Sequence, residues 1–209
     1  MSAAATTTEL IVFAKAPVAG QAKTRLIPAL GPAGAAALAE RLLGHAITEA
    51  TSAGLARVEL CAAPDTTHPV FARLASQHPG LHLAWQGDGD LGERMHRALN
   101  RRLADERPVL LIGTDAPALD AAALRAAAEA LADVDAVFVP ALDGGYALVG
   151  LQQPQAELFL GLVWSTPQVM AETRARAQRA GLRWVELPAV ADIDEPADLL
   201  TALPPGWLP

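Results

Sequence analysis

The chain holds a single cysteine, Cys61, so no intrachain disulfide can form. Its neighbours read as a buried strand, which makes it an inert core thiol rather than a reactive one. Aromatic residues are scarce, at 4% against 52% apolar residues overall, so the core must rest on aliphatic packing and close helix contacts. Basic residues are outnumbered, with 16 Lys and Arg against 23 Asp and Glu. The resulting charge of −7 argues against a general nucleic-acid binder, because a phosphate backbone attracts basic surfaces. A small anionic ligand is not excluded. No apolar run approaches the length of a membrane span, and the opening residues 1–8 carry no basic group of the kind that starts a signal peptide. The expectation is a cytoplasmic protein with no membrane and no nucleic-acid partner.

Several signatures of chemistry are also missing. There is no Walker A loop, no G-x-G-x-x-G and no G-x-S-x-G elbow. The five histidines, His45, His68, His78, His82 and His96, show no zinc spacing and are expected in core or surface roles.

What is present is an alternation of apolar runs and helical patterns. Strands are expected at 10–14, 57–63, 81–85, 109–112, 136–139, 146–150 and 182–187. Helices are expected at 32–50, 70–76, 91–103, 120–131, 167–180 and 196–203. Alternation of this kind predicts an α/β fold, a single open and mostly parallel sheet with helices on both faces. The stretch 143–162 interrupts the alternation, which leaves room for an antiparallel strand. The length suits one domain over 1–209, with residues 1–8 expected to be disordered. In an open sheet of this class, ligands bind outside the carboxyl ends of the strands.

Charge is distributed unevenly. Lys15, Lys23 and Arg25 fall in the loop after the first strand, whereas Asp192, Asp194, Glu195 and Asp198 crowd a late segment free of basic residues. A basic loop and an acidic loop are expected to face each other across one site. In the first loop, Ala14 ends the strand, Gly20 permits a turn or a close approach, and Thr24 offers a hydroxyl. The three cations can hold a di- or triphosphate, Arg by bidentate contact and Lys as a mobile point charge. A solvated loop is the competing reading. The middle loop is rich in glycine, with Gly87, Gly89 and Gly92, and leaves backbone N–H groups open to a base or phosphate. Asp90 is placed to cap the following helix, and Arg94 to reach either a phosphate or a surface ion pair.

Thr114 and Asp115 follow the most hydrophobic run, where a parallel sheet presents its ligands. An oxygen donor there suits Mg²⁺ or Mn²⁺. Asp192 and Asp194 stand two apart, on one side of an extended chain, and either one can complete a metal site with Asp115. The competing role for Asp194 or Glu195 is a cap on the last helix. Asp143, Gly144, Gly145 and Tyr146 form a tight turn entering a strand, where Asp143 either contacts substrate or closes the turn. Trp164 either walls an acceptor pocket or fills the core. Ser165 or Thr166 is placed to cap the helix after it. Trp207 and the tail from Leu200 cover either the core or a partner subunit.

Six segments together resemble the DUF2064 family: F-A-K-A-P-V-A-G-Q-A-K-T-R-L at 13–26, Q-G-D-G-D-L-G-E-R-M at 86–95, G-T-D-A-P at 113–117, P-A-L-D-G-G-Y-A-L-V-G at 140–150, W-S-T at 164–166 and D-I-D-E-P-A-D-L at 192–199. That family is also labelled a radical-SAM/selenodomain-associated transferase or an arsenosugar-biosynthesis-type glycosyltransferase. The resemblance implies a GT-A-like fold, that of nucleotide-diphospho-sugar transferases, with the molybdenum-cofactor and phospholactate guanylyltransferase groups among its relatives. By that analogy Lys15–Arg25 is the pyrophosphate-handling loop. Lys15, Lys23, Arg25 and Asp115 would be catalytic, and Asp192 or Asp194 would be the second metal ligand. The leading expectation is Mg²⁺- or Mn²⁺-dependent nucleotidyl transfer from an NTP to a small, phosphorylated acceptor. Glycosyl transfer from a nucleotide-sugar is the alternative, and a non-catalytic nucleotide-binding protein a third.

Overall fold

The computed structural model of the chain describes residues 7–207. The expectation of disorder at the start lies, for residues 1–6, outside the described residues. It does not extend to Thr8, which is buried and whose carbonyl accepts from the Ala56 amide at 2.9 Å.

Among the described residues, seven strands form one sheet: β1 (Glu9–Lys15), β2 (Arg57–Ala63), β3 (Leu81–Trp85), β4 (Val109–Ile112), β5 (Ala136–Pro140), β6 (Tyr146–Leu151) and β7 (Trp184–Glu186). Their order is β3-β2-β1-β4-β6-β5-β7. β1 pairs in parallel with β2 and β4, and β5 in parallel with β7. β6 runs antiparallel between β4 and β5, which is the strand for which residues 143–162 left room. β1 and β4 lie at the centre and are apolar along nearly their whole length, as strands covered on both faces must be.

The helices are α1 (Ile27–Ser52), α2 (Pro69–Gln77), α3 (Leu91–Leu103), α4 (Ala121–Leu131), α5 (Val169–Arg179) and the short α6 (Asp198–Thr201). Ile47, Phe71 and Leu124 bring α1, α2 and α4 onto one face of the sheet. Met95, Leu99 and Met170 bring α3 and α5 onto the other. Asp120 caps α4 and Asp90 caps α3, the latter in a reciprocal box with Glu93. Helix α1 starts a turn earlier than expected. Gly31, at φ 69 and ψ 168, breaks that first turn before Pro32 restarts the helix. The segment Thr24–Ser52 includes an 18-residue window of mean hydropathy 1.2, but its larger side chains, Leu38, Leu42, Leu43 and Ile47, are buried inside the protein.

Two expectations about caps are corrected. Helix α5 begins at Val169, so neither Ser165 nor Thr166 caps it. Ser165 adopts φ 60, and the Thr166 hydroxyl donates back to the Val163 carbonyl. At the last helix the roles of the acids are reversed. Asp198 accepts from the backbone amides of Asp194 at 3.0 Å and Glu195 at 2.6 Å, which leaves both their carboxylates free for other work.

A third cluster positions the site. Leu26, Leu38, Leu42 and Ile193 are buried together, with Leu199, Leu203 and Trp207 against them. Trp207 packs edge-on against His45 at 4.9 Å and under Arg41 at 5.6 Å. The tail therefore covers the chain's own helix α1.

Candidate functional site

The order of the sheet reverses between β1 and β4, because the chain runs outward from β1 to β2 and β3 and then returns to β4. Such a reversal opens a crevice beyond the carboxyl ends of those two strands. Lys15 ends β1, and Gly113, Thr114 and Asp115 directly follow β4. The first loop therefore starts beside Asp115.

The late acidic segment reaches the same place from the far side of the sheet. Leu142 N donates to the Val190 carbonyl at 3.0 Å, which anchors the segment beyond β5. The segment then crosses toward β4, where Ile193 N donates to the Asp115 carbonyl at 2.8 Å. Ile193 is fully buried against Leu26, Leu38 and Leu42. One apolar side chain thus pins the two carboxylates on either side of it at the rim of the crevice.

The basic and acidic loops meet in direct contact. Lys23 Nζ lies 2.8 Å from Asp115 Oδ1 and 3.6 Å from Asp194 Oδ1, and donates to the Ile193 carbonyl at 2.5 Å. Arg25 Nη1 lies 2.5 Å from Asp194 Oδ2 and 3.5 Å from Glu195 Oε1. Thr114 Oγ1 donates to Asp115 Oδ1 at 3.2 Å. Lys15 stays exposed, with Nζ donating to the Gln21 carbonyl at 3.1 Å. Gly20, at φ 80, makes the turn between them, while Ala14 and Thr24 flank it.

Asp192 completes the acidic strip. Burial raises its carboxyl above the usual range, and so, in order, do the charges of Asp143, Asp194 and Asp115. The strip offers the kind of ligand that a hard divalent cation takes. Its donors are all oxygens, and a cation relieves the mutual repulsion that Asp192 registers. Among the described residues, no three Asp, Glu, His or Cys side chains already surround one point. The Lys23 ammonium stands between Asp115 and Asp194 instead.

The middle loop is shaped by the chain's own side chains. Arg97 donates to the Gln86 carbonyl at 2.7 Å and the Asp88 carbonyl at 2.8 Å, and packs directly against Gly87. Gly89 makes room for Glu93. Arg94 donates to Gln86 Oε1 at 3.2 Å and to the Asp90 carbonyl, and pairs with no carboxylate among the described residues. Gln86 is buried, and its amide donates to the Ala14 and Cys61 carbonyls at 3.1 and 2.9 Å. It ties the loop to the ends of β1 and β2. Neither Gln86 nor Arg97 was singled out from the sequence, since a Gln before a Gly-rich loop and an Arg seven residues into a helix pattern carry no local signal.

On the other side of the crevice, Asp143 closes its turn by accepting from Gly145 N at 2.8 Å, and its carboxylate also faces Asp192. Gly144, at φ 93, lies so close to the Pro167 backbone that a side chain there would collide with it. Its carbonyl accepts from Met170 N at 2.8 Å. Gly144→Ala is therefore expected to cost about 1–3 kcal/mol, through strain at positive φ and backbone displacement. A melting curve should show a drop of about 4–8 °C at 2 kcal/mol.

Tyr146 and Trp164 pack edge to face, with ring centroids 6.2 Å apart. Trp164 is also pressed against Gly92, whose missing side chain makes room for the indole and for the Phe159 carbonyl. Both rings are half-buried, yet the Tyr146 hydroxyl and Trp164 Nε1 are shut off from solvent and have no partner among the described residues. Burial pushes the Tyr146 phenol well above its ordinary value, so it remains a neutral donor. Burial, with the neighbouring Glu59 charge, similarly pushes the Cys61 thiol up to about 12, as an inert core thiol requires. His96 stacks on Phe159 with centroids 6.4 Å apart and takes a packing role.

Solved structures share this architecture. A candidate nucleotide-diphospho-sugar transferase from Desulfovibrio desulfuricans G20 is 28% identical, with a TM-score of 0.84 over 93% of this chain and 86% of that one. A nucleotidyl transferase from Methanothermobacter thermautotroptrophicus is 16% identical, with a TM-score of 0.60 over 93% of this chain and 95% of that one. A 4-diphosphocytidyl-2C-methyl-D-erythritol synthase from Anaerococcus prevotii is 9% identical, with a TM-score of 0.63 over 95% of this chain and 97% of that one. No curated protein matches the sequence. The fold is thus the GT-A-like one shared by nucleotidyl and sugar transferases. A family model described as "Uncharacterized protein conserved in bacteria (DUF2064)" matches residues 46–166, more than half of the sequence, and the chain belongs to that family.

Proposed function

We propose that the protein is a metal-dependent nucleotidyltransferase, which moves a nucleotidyl group from an NTP to a small, phosphorylated acceptor and releases pyrophosphate. The observation that carries this reading is the meeting of Lys23 and Arg25 with Asp115 and Asp194 at the reversal point of the sheet. Cations and carboxylates at one point suit a ligand that carries both phosphate and a metal ion. Asp115, Asp192 and Asp194 would hold Mg²⁺ or Mn²⁺, which when bound supplies positive charge to phosphate oxygens.

The chain's own residues do the rest. Lys15, Lys23 and Arg25 lie on one loop and would receive the triphosphate, with Thr24 beside them. The middle loop from Gly87 to Asp90, held by Arg97 and Gln86, stands beside β1 and would flank the nucleotide. An acceptor phosphate oxygen attacks the α-phosphorus and forms a new P–O bond. The bond to the β-phosphate oxygen breaks, and its electron pair leaves with pyrophosphate. Arg25 and Lys15 stabilise that departing charge. On the acceptor side, the packed rings of Tyr146 and Trp164 would wall the acceptor pocket.

A second reading is glycosyl transfer, with the same residues holding the diphosphate of a nucleotide-sugar. The 28% identical relative, described as a candidate nucleotide-diphospho-sugar transferase, favours it. The first test is a thermal-melt panel of NTPs, UDP-sugars and GDP-sugars, each with and without Mg²⁺, followed by a pyrophosphate-release assay with phosphorylated acceptors. An NTP should raise the melting temperature in the presence of Mg²⁺. Stabilisation by a nucleotide-sugar with no response to any NTP would replace the first reading with the second. A complete lack of response would leave a non-catalytic role for the fold. We place the activity in the cytoplasm.

A further inference from the structure

Lys15 and Lys23 are the only lysines in the chain, and the fold treats them differently. Lys15 points into solvent from the edge of its loop. Lys23 is drawn inward, its side chain only 6% exposed, although the carboxylates it meets at Asp115 and Asp194 are 48% and 38% exposed. Its ammonium is ringed by three oxygens, one from each of those carboxylates and one from the Ile193 carbonyl. Two carboxylates and a peptide carbonyl are the donors a hard metal ion selects. The lysine backbone adopts φ 47 and ψ 46, a left-handed conformation that costs a residue with a side chain. The ion pairs at the tip of the side chain offset that cost.

Resting on the reading above that this strip accepts a divalent ion, we infer that Lys23 is the resident cation of the metal position. Its ammonium and an incoming divalent ion compete for Asp115 and Asp194. Two cations cannot share the same pair of carboxylates at contact distance without strong mutual repulsion. Entry of the metal therefore turns the lysine out of the acidic strip, and its flexible stem lets it swing to the phosphates beside it. Without metal the acids stay neutralised and the fold stays intact. With metal, Lys23 is delivered to the substrate. One residue thus makes phosphate binding conditional on the metal.

The experiment is a Mn²⁺ titration, in which the free-ion electron paramagnetic resonance signal reads binding to the wild-type protein, Lys23→Met and Asp115→Asn. Lys23→Met should bind Mn²⁺ at least about tenfold more tightly than wild type, because a charge in contact with the ligands has been removed. Asp115→Asn should bind it more weakly. In parallel, ¹⁵N-lysine labelling gives a side-chain spectrum with only two ammonium groups to resolve. Saturating Mg²⁺ should move the Lys23 signal and leave that of Lys15 in place. Unchanged or weaker Mn²⁺ binding by a folded Lys23→Met, with a Lys23 signal indifferent to Mg²⁺, would overturn the competition while the metal-dependent reading stood. Binding of Mn²⁺ by neither wild type nor Lys23→Met would overturn both, and leave the lysine as a permanent structural pin. If Lys23→Met fails to melt cooperatively, the labelled wild-type spectrum decides alone.

Discussion

Asp115→Asn is expected to lower turnover about a hundred- to a thousandfold, the range seen when a group that stabilises developing charge is removed. The substitution preserves shape. The Asp115 carbonyl still accepts from Ile193 N, so the acidic strip keeps its anchor. What is lost is one negative charge against the Lys23 ammonium and one oxygen for a divalent ion. Stability should fall by only about 1–2 kcal/mol, because the carboxylate is half exposed and Lys23 keeps Asp194 and the Ile193 carbonyl. The two effects separate cleanly if pyrophosphate release and a denaturation midpoint are measured on one preparation. Near-normal turnover in a folded Asp115→Asn protein would remove Asp115 from the chemistry.

Ile193→Ala should damage stability and activity together. Truncation of a fully buried isoleucine generally costs about 2–5 kcal/mol, partly for the cavity it leaves. Here the cavity opens among Leu26, Leu38 and Leu42, which join the first loop and helix α1 to the acidic segment. The flanking Asp192 and Asp194 lose their fixed height above β4, so turnover should fall by about a further tenfold even under conditions where the protein remains folded, as small misplacements of catalytic groups do. Urea denaturation measures the first effect, and turnover well below the denaturation midpoint the second. Ile193→Val should recover most of both. Loss of stability with unchanged turnover would show that the acidic strip is held by its backbone hydrogen bonds alone.

Much of this architecture was legible in local pattern. The run Val109–Ile112 is buried on both faces, and such a run announces a central strand. An acid three residues beyond it, at Asp115, then falls at the edge of the sheet where ligands collect. The caps at Asp90 and Asp120 declared themselves by residue type and spacing. What stayed hidden depends on distant partners. Ile193 between two aspartates reads as a loop residue, and only the packing of Leu26, Leu38 and Leu42 makes it a core residue. Ser165 and Thr166 looked like caps because Pro167 looked like a helix start, whereas the close approach of Gly144 to Pro167 delays the helix to Val169. The early cations and late acids were expected on opposite sides of a ligand. Their direct contact could not be anticipated, since it turns on where the buried stem of Lys23 points.

The crossing of the acidic segment over the strand ends has a consequence for biosynthesis. Residues 190–194 leave the ribosome after all seven strands, yet they supply the acids opposite Lys23 and Arg25. A nascent chain arrested just past Glu186 would have every strand of its sheet but would lack Asp192, Asp194 and the isoleucine between them. Competence to grip a charged substrate would thus arrive abruptly, once the segment after β7 has emerged, rather than growing in step with the sheet.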